Sequence, residues 1–393
     1  MRVAVVGCGV AGLAAAIALD RKGHRITLFE AFAAPRPLGA GLLLQPSGLA
    51  ALRALDLVEP VLARGARIDR LHGSDLAGRT IMDMRYQRWR PDAFGLGVHR
   101  ASLFDVLHQA ALAAGIEIRT GAAVERIESF EAPVLRTTTD EAHGPFDLVV
   151  VADGSASKLR DQVRPKAQAP LYPWGAVWAM ARDDDGRYAG TLHQRYHRAS
   201  TMIGILPVGR RPEADGDHVS FFWSLPVRDI DGFLAGDLDG WRRDVIRMWP
   251  EAAPVITQLD RPECFSPAAY RDMAFGRWDR GAVVLIGDAA HGMSPQLGQG
   301  ANLALIDAVE LAERVDAPTW IAGYQRARRL QTSPYQLLSR LLTPLFQSSG
   351  WFWPWFRAHL FAPLSQAPGV RGHAAHVLTG VFRLGRTPPK LRP

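Results

Sequence analysis

Residues 2–30, RVAVVGCGVAGLAAAIALDRKGHRITLFE, constrain the fold more tightly than any other stretch, because a strand, three glycines, a helix, a second strand and a terminal acid follow one another at βαβ spacing. RVAVV shows no polar alternation, which suits a strand buried on both faces. Gly7, Gly9 and Gly12 then hold the GxGxxG spacing around Val10 and Ala11. Gly7 permits the tight turn, Gly9 lets backbone approach a pyrophosphate, and Gly12 lets the alanine-rich helix pack on the strand. The next strand, HRITLFE, closes on Glu30, roughly 20 residues beyond the glycines, where an acid meets the ribose hydroxyls of a dinucleotide.

A second loop of related chemistry lies at 287–308, GDAAHGMSPQLGQGANLALIDA. The apolar run AVVLI at 282–286 precedes it and predicts a doubly buried strand, which places Asp288 in the crevice beyond the strand ends. Gly298, Gln299 and Gly300 precede ANLALIDAVELAERV, whose apolar spacing predicts a helix. Amides at such a helix start favour an anionic or electron-rich ligand. Taken alone, the loop serves a tight strand-to-helix connection equally well.

A chain of 393 residues suits two domains. Its formal net charge is +7, yet only Lys22, Lys158, Lys166 and Lys390 are lysines, and the arginines form no basic stripe with interleaved aromatics. A nucleic-acid partner is therefore not expected. The two cysteines, Cys8 and Cys264, are too few for a disulfide framework, and no Cys/His cluster has metal-ligand spacing. Cleavage of a leader would destroy the first strand, so the expected compartment is the cytoplasm.

Three separated motifs, GCGVAG at 7–12, DLVVVADGSASKLR at 147–160 and GDAAH…LGQGANLALIDA, together resemble flavin-dependent aromatic hydroxylases of the para-hydroxybenzoate hydroxylase type, in the branch of ubiquinone-biosynthesis hydroxylases. The resemblance covers roughly residues 1–335. It implies tightly bound FAD, transient NADPH or NADH, and hydroxylation of an aromatic or other electron-rich apolar substrate with O2 through a flavin hydroperoxide. By the same resemblance Gly7, Gly9, Val10, Ala11 and Gly12 would hold the pyrophosphate and Glu30 the adenosine ribose. Arg100 would reach the flavin side of the pyrophosphate, and Asp153 and Gly154 would support FAD and the nicotinamide cofactor. Asp288 would bind the ribityl or pyrophosphate region. Gly298, Gly300, Ala301 and Asn302 would face the pyrimidine edge of the isoalloxazine, and Pro295 its reactive carbon. His291 is assigned a loop-ordering role.

The expected fold is α/β: a Rossmann-like FAD-binding domain (1–66, 96–165 and 269–335), an antiparallel-sheet substrate domain (67–95 and 166–268) and a helical extension with tail (336–393). Strands are predicted at about 67–89 and in WGAVWAM, GTLHQRYHR, STMIGILPV and HVSFFWSL. Trp178, His193, Arg195 and Trp223 on these strands are the substrate-pocket candidates together with Pro295, and alternation sends His193, Arg195 and His197 to one face. The competing reading makes the histidines ordinary strand positions and the tryptophans core. Pro344, Pro354 and Pro363 are expected to break the aromatic segment 336–366. That segment suits packing on the FAD domain or a second subunit, and alternatively peripheral contact with a membrane; the chain would be a monomer or homodimer. Three other activities compete: a reductase of prenyl or polyene substrates, a flavin halogenase suggested by WFWPW at 351–355, and a catalytically silent flavoprotein carrier.

Overall fold

The computed structural model describes residues 1–35, 40–165, 168–212, 214–273, 275–365 and 367–384. Two large sheets organise it. The first runs in the order Asp279–Arg280, Val283–Leu285, Leu148–Val151, Arg2–Val6, Arg25–Phe29 and Glu117–Arg119. All its neighbours are parallel except the antiparallel edge strand Asp279–Arg280. The valine-rich runs are buried throughout, because helices cover them: Val10–Asp20 packs between this sheet and Gly300–Ala312. Alanines at 14, 15 and 16 are fully buried and allow that close approach. A small sheet of Val124–Glu128, Val134–Thr137 and Ala142–His143 had no counterpart in the sequence reading.

The second sheet follows the order Phe265–Arg271, Leu171–Arg182, Ala214–Pro226, Thr201–Arg211, Gly190–His197, Ala66–Asp75, Gly95–His99 and Gly41–Leu44, with Thr80–Arg85 paired on Ala66–Asp75. The early and late segments meet in the parallel register His72 opposite His193. Strands Gly41–Leu44 and Gly95–His99 join it, although the reading above left residues 41–44 and 96–99 with the FAD domain. The strand predicted to reach residue 89 ends at Arg85. Tyr86–Arg88 is instead a 3-10 turn, because the buried Tyr86 ring turns inward and its hydroxyl donates to Gln45 Oε1 at 2.7 Å.

Alternation gives this sheet two different faces. Val177 stands opposite Trp223, and both face a helical layer, Ile230–Leu234, Leu238–Met248 and Ala253–Ile256. There the Trp241 ring sits edge-on to Phe221, Trp223, Phe233 and Phe265. Trp178 stands opposite Phe222 on the other face, which packs with Met180, Leu206 and Leu43 and so looks toward the parallel-sheet half.

The C-terminal region is helical. Helix Trp320–Phe346 runs unbroken across residue 335, and Pro344 does not stop it, contrary to expectation; Pro334 also lies inside it. A proline removes the amide that would pair with the carbonyl four residues earlier. For Pro334 that carbonyl belongs to Leu330, and it accepts instead from the Leu384 amide at 2.8 Å. The carbonyl freed by Pro334 thus holds Leu384 against this helix. Pro354 and Pro363 lie within the short helices Phe352–Phe356 and Ala362–Ser365. Among the described residues no helix is long and apolar enough to cross a membrane.

Candidate functional site

Strands Arg2–Val6, Leu148–Val151 and Val283–Leu285 are adjacent, and the register aligns Val6 with Val151 and Val151 with Leu285. Their carboxyl ends therefore release Gly7, Asp153 and Gly287 side by side into one crevice. Gly7 has φ +104°, and a Cβ there would meet the Ala152 carbonyl oxygen at 2.5 Å. A Cβ on Gly12 would stand 1.9 Å from the Gly7 carbonyl oxygen, so only glycine lets this helix start under the loop. Gly287 at φ +59° comes within 2.9 Å of Ala11 Cβ by the same measure, and the Asp288 carboxylate lies beside Gly300. Separations of hundreds of residues are closed by these glycine contacts.

The surface around the crevice is open where the interior is not. Cβ atoms on Gly9, Gly154 and Gly298 would meet nothing within 4 Å. Gly9, Arg100, Asp288 and Gly298 are exposed, and Val10, Ala11, Asp153, Gly154, Pro295, Gly300 and Ala301 are half-buried. Helices Val10–Asp20 and Gly300–Ala312 both begin here with no side-chain cap and no acid in the first turn. Their free N–H groups are left for a ligand, as phosphate-binding helix starts require. Asp153 Oδ1 is buried without a hydrogen-bond partner, and burial holds its carboxyl above the usual range. A ligand with phosphate and hydroxyl groups has the acceptors and donors that these groups lack.

Other predicted residues stand behind the surface. Glu30 is buried, and its carboxylate accepts from the Cys8 and Phe32 amides at 2.9 Å each, which fixes it at the end of the crevice. Asn302 is fully buried: its amide donates to the Leu43 and Gly298 carbonyls and its oxygen accepts from the Gln45 amide at 2.8 Å. It clamps the 298–302 loop against strand Gly41–Leu44, and its side chain has no free group for a cofactor. Burial, with the charges of Arg211, His218 and Arg100, lowers the His99 pKa to about 4. Neutral His99 Nδ1 can therefore accept from the Ala101 amide and cap helix Arg100–Ala113.

The loop at 287–291 is held from below. Asp307 is fully buried and accepts from the Gly287 amide at 2.7 Å, from His291 Nε2 at 2.6 Å and from Arg328 Nε at 2.6 Å. Burial opposes its ionisation, yet His291 and Arg328 hold its carboxyl well below the usual range. The loop-ordering role assigned to His291 agrees with this bond, and Trp278 packs edge-on to its ring. Asp307 and Arg328 were missed in the sequence. An acid inside the apolar run ANLALIDAVELA was the available signal, whereas nothing marked Arg328.

The pocket candidates separate by face. Trp178 lies on the face opposite the helical layer, where its Nε1 donates to the Tyr270 hydroxyl at 3.2 Å, and half-buried Pro295 opens the 3-10 turn Pro295–Leu297. The strand that carries Tyr270, Phe265–Arg271, leads directly to the 287–292 loop, because the Met273 amide donates to the Gly292 carbonyl at 2.9 Å, and burial raises the Tyr270 pKa. Trp223, His193 and Arg195 do not share this face, because pleating sends them to the helical layer: Arg195 lies over the Trp249 ring and bonds Ser74, and His193 meets Tyr188. Tyr270 had no signal in the sequence.

The chain is 29% identical over 331 residues to 2-heptyl-3-hydroxy-4(1H)-quinolone synthase of Pseudomonas aeruginosa, covering 79% of this chain and 80% of that protein. It is 26% identical over 384 residues to the aurachin C monooxygenase/isomerase of Stigmatella aurantiaca, covering 93% of this chain and 94% of the other. The crystal structure of Klebsiella pneumoniae HpxO complexed with FAD and uric acid superposes with a TM-score of 0.79 at 21% identity over 96% of this chain and 97% of that one, so the fold is shared. A family model for the FAD binding domain matches residues 1–319, and with the crevice just described it shows that the chain belongs to that FAD-binding family.

Proposed function

We propose that this flavoprotein is an NADPH- or NADH-dependent monooxygenase that hydroxylates an electron-rich aromatic or other apolar substrate with O2. One arrangement carries the reading: three strand-end loops converge on a crevice, and the sheet that presents the aromatic face of Trp178, Phe222 and Tyr270 is tied to one of those loops where the Met273 amide donates to the Gly292 carbonyl. The quinolone synthase and aurachin monooxygenase relatives support it.

Bound FAD supplies the reducing and oxygen-activating chemistry. In this assignment the amides of Val10 and Ala11 and the loop Gly7–Gly12 receive the pyrophosphate, and Glu30 meets the adenosine ribose. Arg100 and Asp288 would hold the pyrophosphate and ribityl region, Asp153 and Gly154 would support the cofactor and the nicotinamide nucleotide, and Pro295, Gly298, Gly300 and Ala301 would hold the flavin. Asn302 acts from behind by holding the 298–302 loop in place. Apolar Trp178, Met180 and Phe222 exclude water and orient the substrate ring. The Tyr270 hydroxyl accepts from Trp178, stays protonated at neutral pH and keeps its own hydrogen to donate to a substrate oxygen or nitrogen. The division into 1–66, 96–165 and 269–335 against 67–95 and 166–268, a cytoplasmic location, and a monomer or homodimer complete the proposal.

No feature favours the other three activities. The WFWPW segment, on which a halogenase reading rested, stands on the outer helix with Trp351 83% exposed. The test is an oxygen-electrode assay of FAD-loaded protein with NADPH or NADH and a panel of aromatic and bicyclic N-heteroaromatic compounds. One or more should stimulate nucleotide oxidation and oxygen uptake in step. Nucleotide oxidation with reduction of a double bond and no oxygen uptake would establish the reductase instead.

A further inference from the structure

From residue 317 to the end the chain contains no Asp or Glu and ten Lys or Arg, from Arg326 to Arg392. The +7 of the whole chain thus leaves the first 316 residues at −3. The same region carries an exposed apolar stripe. Residues 352–365 form one continuous helical path, α-helical at Phe352–Phe356 and Ala362–Ser365 with a π-helical turn, Arg357–Phe361, between. A π turn takes one residue more than an α turn. Trp351, Trp355, Leu360 and Leu364, spaced by four, five and four, therefore stay on one side, and they are 83%, 53%, 52% and 58% exposed. Leu337 and Leu341, one turn apart on helix Trp320–Phe346, are more than half exposed as well.

The opposite side of this path is packed and fixed. Phe356, Phe361 and buried Ala362 meet Leu345, Phe346 and Tyr196. The buried Arg357 guanidinium donates to the carbonyls of Leu345 and Arg198 and lies over the Tyr196 and Phe346 rings. A helix held this firmly from within presents its outer stripe by construction, and it cannot turn the tryptophans inward.

We infer that the stripe Trp351–Trp355–Leu360–Leu364 is a docking surface for an anionic lipid bilayer. Tryptophans seat at the boundary between headgroups and acyl chains, which leucines enter. Charge complementarity selects the lipid: residues 317–393 contain ten Lys or Arg and no acid to repel anionic headgroups, and among the described ones Arg371 is only partly buried. Arg328, Arg340 and Arg383 are paired with Asp307, Asp272 and Glu310 and are not part of this attraction. The inference stands apart from the monooxygenase reading, since it concerns a surface outside the crevice.

The test uses the full-length, FAD-loaded protein and vesicles of 3:1 phosphatidylcholine:phosphatidylglycerol or of phosphatidylcholine alone. The wild type should sediment with the anionic vesicles at low salt, shift its tryptophan emission to the blue, and bind at least about tenfold more weakly when salt rises or when the anionic lipid is omitted. The variant Trp351→Ser/Trp355→Ser/Leu360→Ser should lose at least about tenfold in vesicle partition while keeping its FAD content and Tm. Equal partition of variant and wild type, or no binding to the anionic vesicles, would overturn the inference. So would a lipid-free dimer that shields these tryptophans from acrylamide and becomes monomeric in the variant, because the stripe would then serve a second copy of the chain.

Discussion

Replacing Asp307 with asparagine should remove the charge on which the 287–291 loop rests. The carboxylate is fully buried and receives three donors at 2.6–2.7 Å: the Gly287 amide, His291 and Arg328. Asparagine preserves the shape but leaves the Arg328 guanidinium, itself fully buried, without its counter-charge. Breaking a buried pair on one side costs about 3–5 kcal/mol. With a urea slope of about 2–3 kcal/mol per molar, the unfolding midpoint should fall by about 1–2.5 M. The pH dependence provides a second reading. His291 and Arg328 hold the Asp307 carboxyl at about 2, below the ordinary carboxylate range, so the wild type should carry stabilisation above pH 4 that disappears as pH falls toward 2. That difference is worth about 2 kcal/mol and should be missing from Asp307→Asn. FAD should also bind more weakly, because Gly287 loses its tether. A midpoint within about 0.3 M of wild type, with unchanged acid sensitivity, would refute the argument that this buried cluster supports the site.

Gly9 and Gly12 should respond oppositely to alanine. Gly12→Ala drives a methyl into the Gly7 carbonyl and should yield aggregated or strongly destabilised protein, whereas Gly9→Ala points into open space and should fold normally yet lose at least about tenfold in FAD affinity by flavin fluorescence titration. Asp288→Ala, at an exposed position, should leave the apoprotein stability within about 0.5 kcal/mol of wild type while weakening or abolishing flavin absorbance in the purified protein. Trp178→Ala should raise substrate KM and release more hydrogen peroxide per NAD(P)H. Arg195→Ala, on the helical face, should lower Tm with KM little changed.

Much of the FAD half was legible because its signals are local. Three glycines within six residues, a doubly apolar strand and a terminal acid report backbone conformation directly, and the 287–308 loop repeats that logic. The faces of the second sheet were harder. Alternation placed His193 and Arg195 together, but it could not say whether helices or the crevice covered that face, since the helices between Ile230 and Ile256 were not assigned to either side. Tyr270 meets Trp178 only because strand Phe265–Arg271 pairs with Leu171–Arg182, a contact across almost a hundred residues. Asn302 matched a cofactor motif, yet its side chain is consumed by three backbone groups, which a motif cannot reveal. Pro344 looked like a helix breaker, yet helix Trp320–Phe346 continues through it and through Pro334, whose freed Leu330 carbonyl accepts from the Leu384 amide.

The central claim, that the crevice between the loops and the Trp178 face is a site of oxygen transfer, is tested most directly with 18O2. FAD-loaded protein should be supplied with NADPH or NADH and whichever aromatic compound most stimulates oxygen uptake, and the product mass measured. One atom of 18O per product, with little label when the reaction is run in H2 18O under ordinary oxygen, is the result expected, and Trp178→Ala should lower the labelled yield per nucleotide oxidised. Product without label from 18O2, or with label from water, would contradict it.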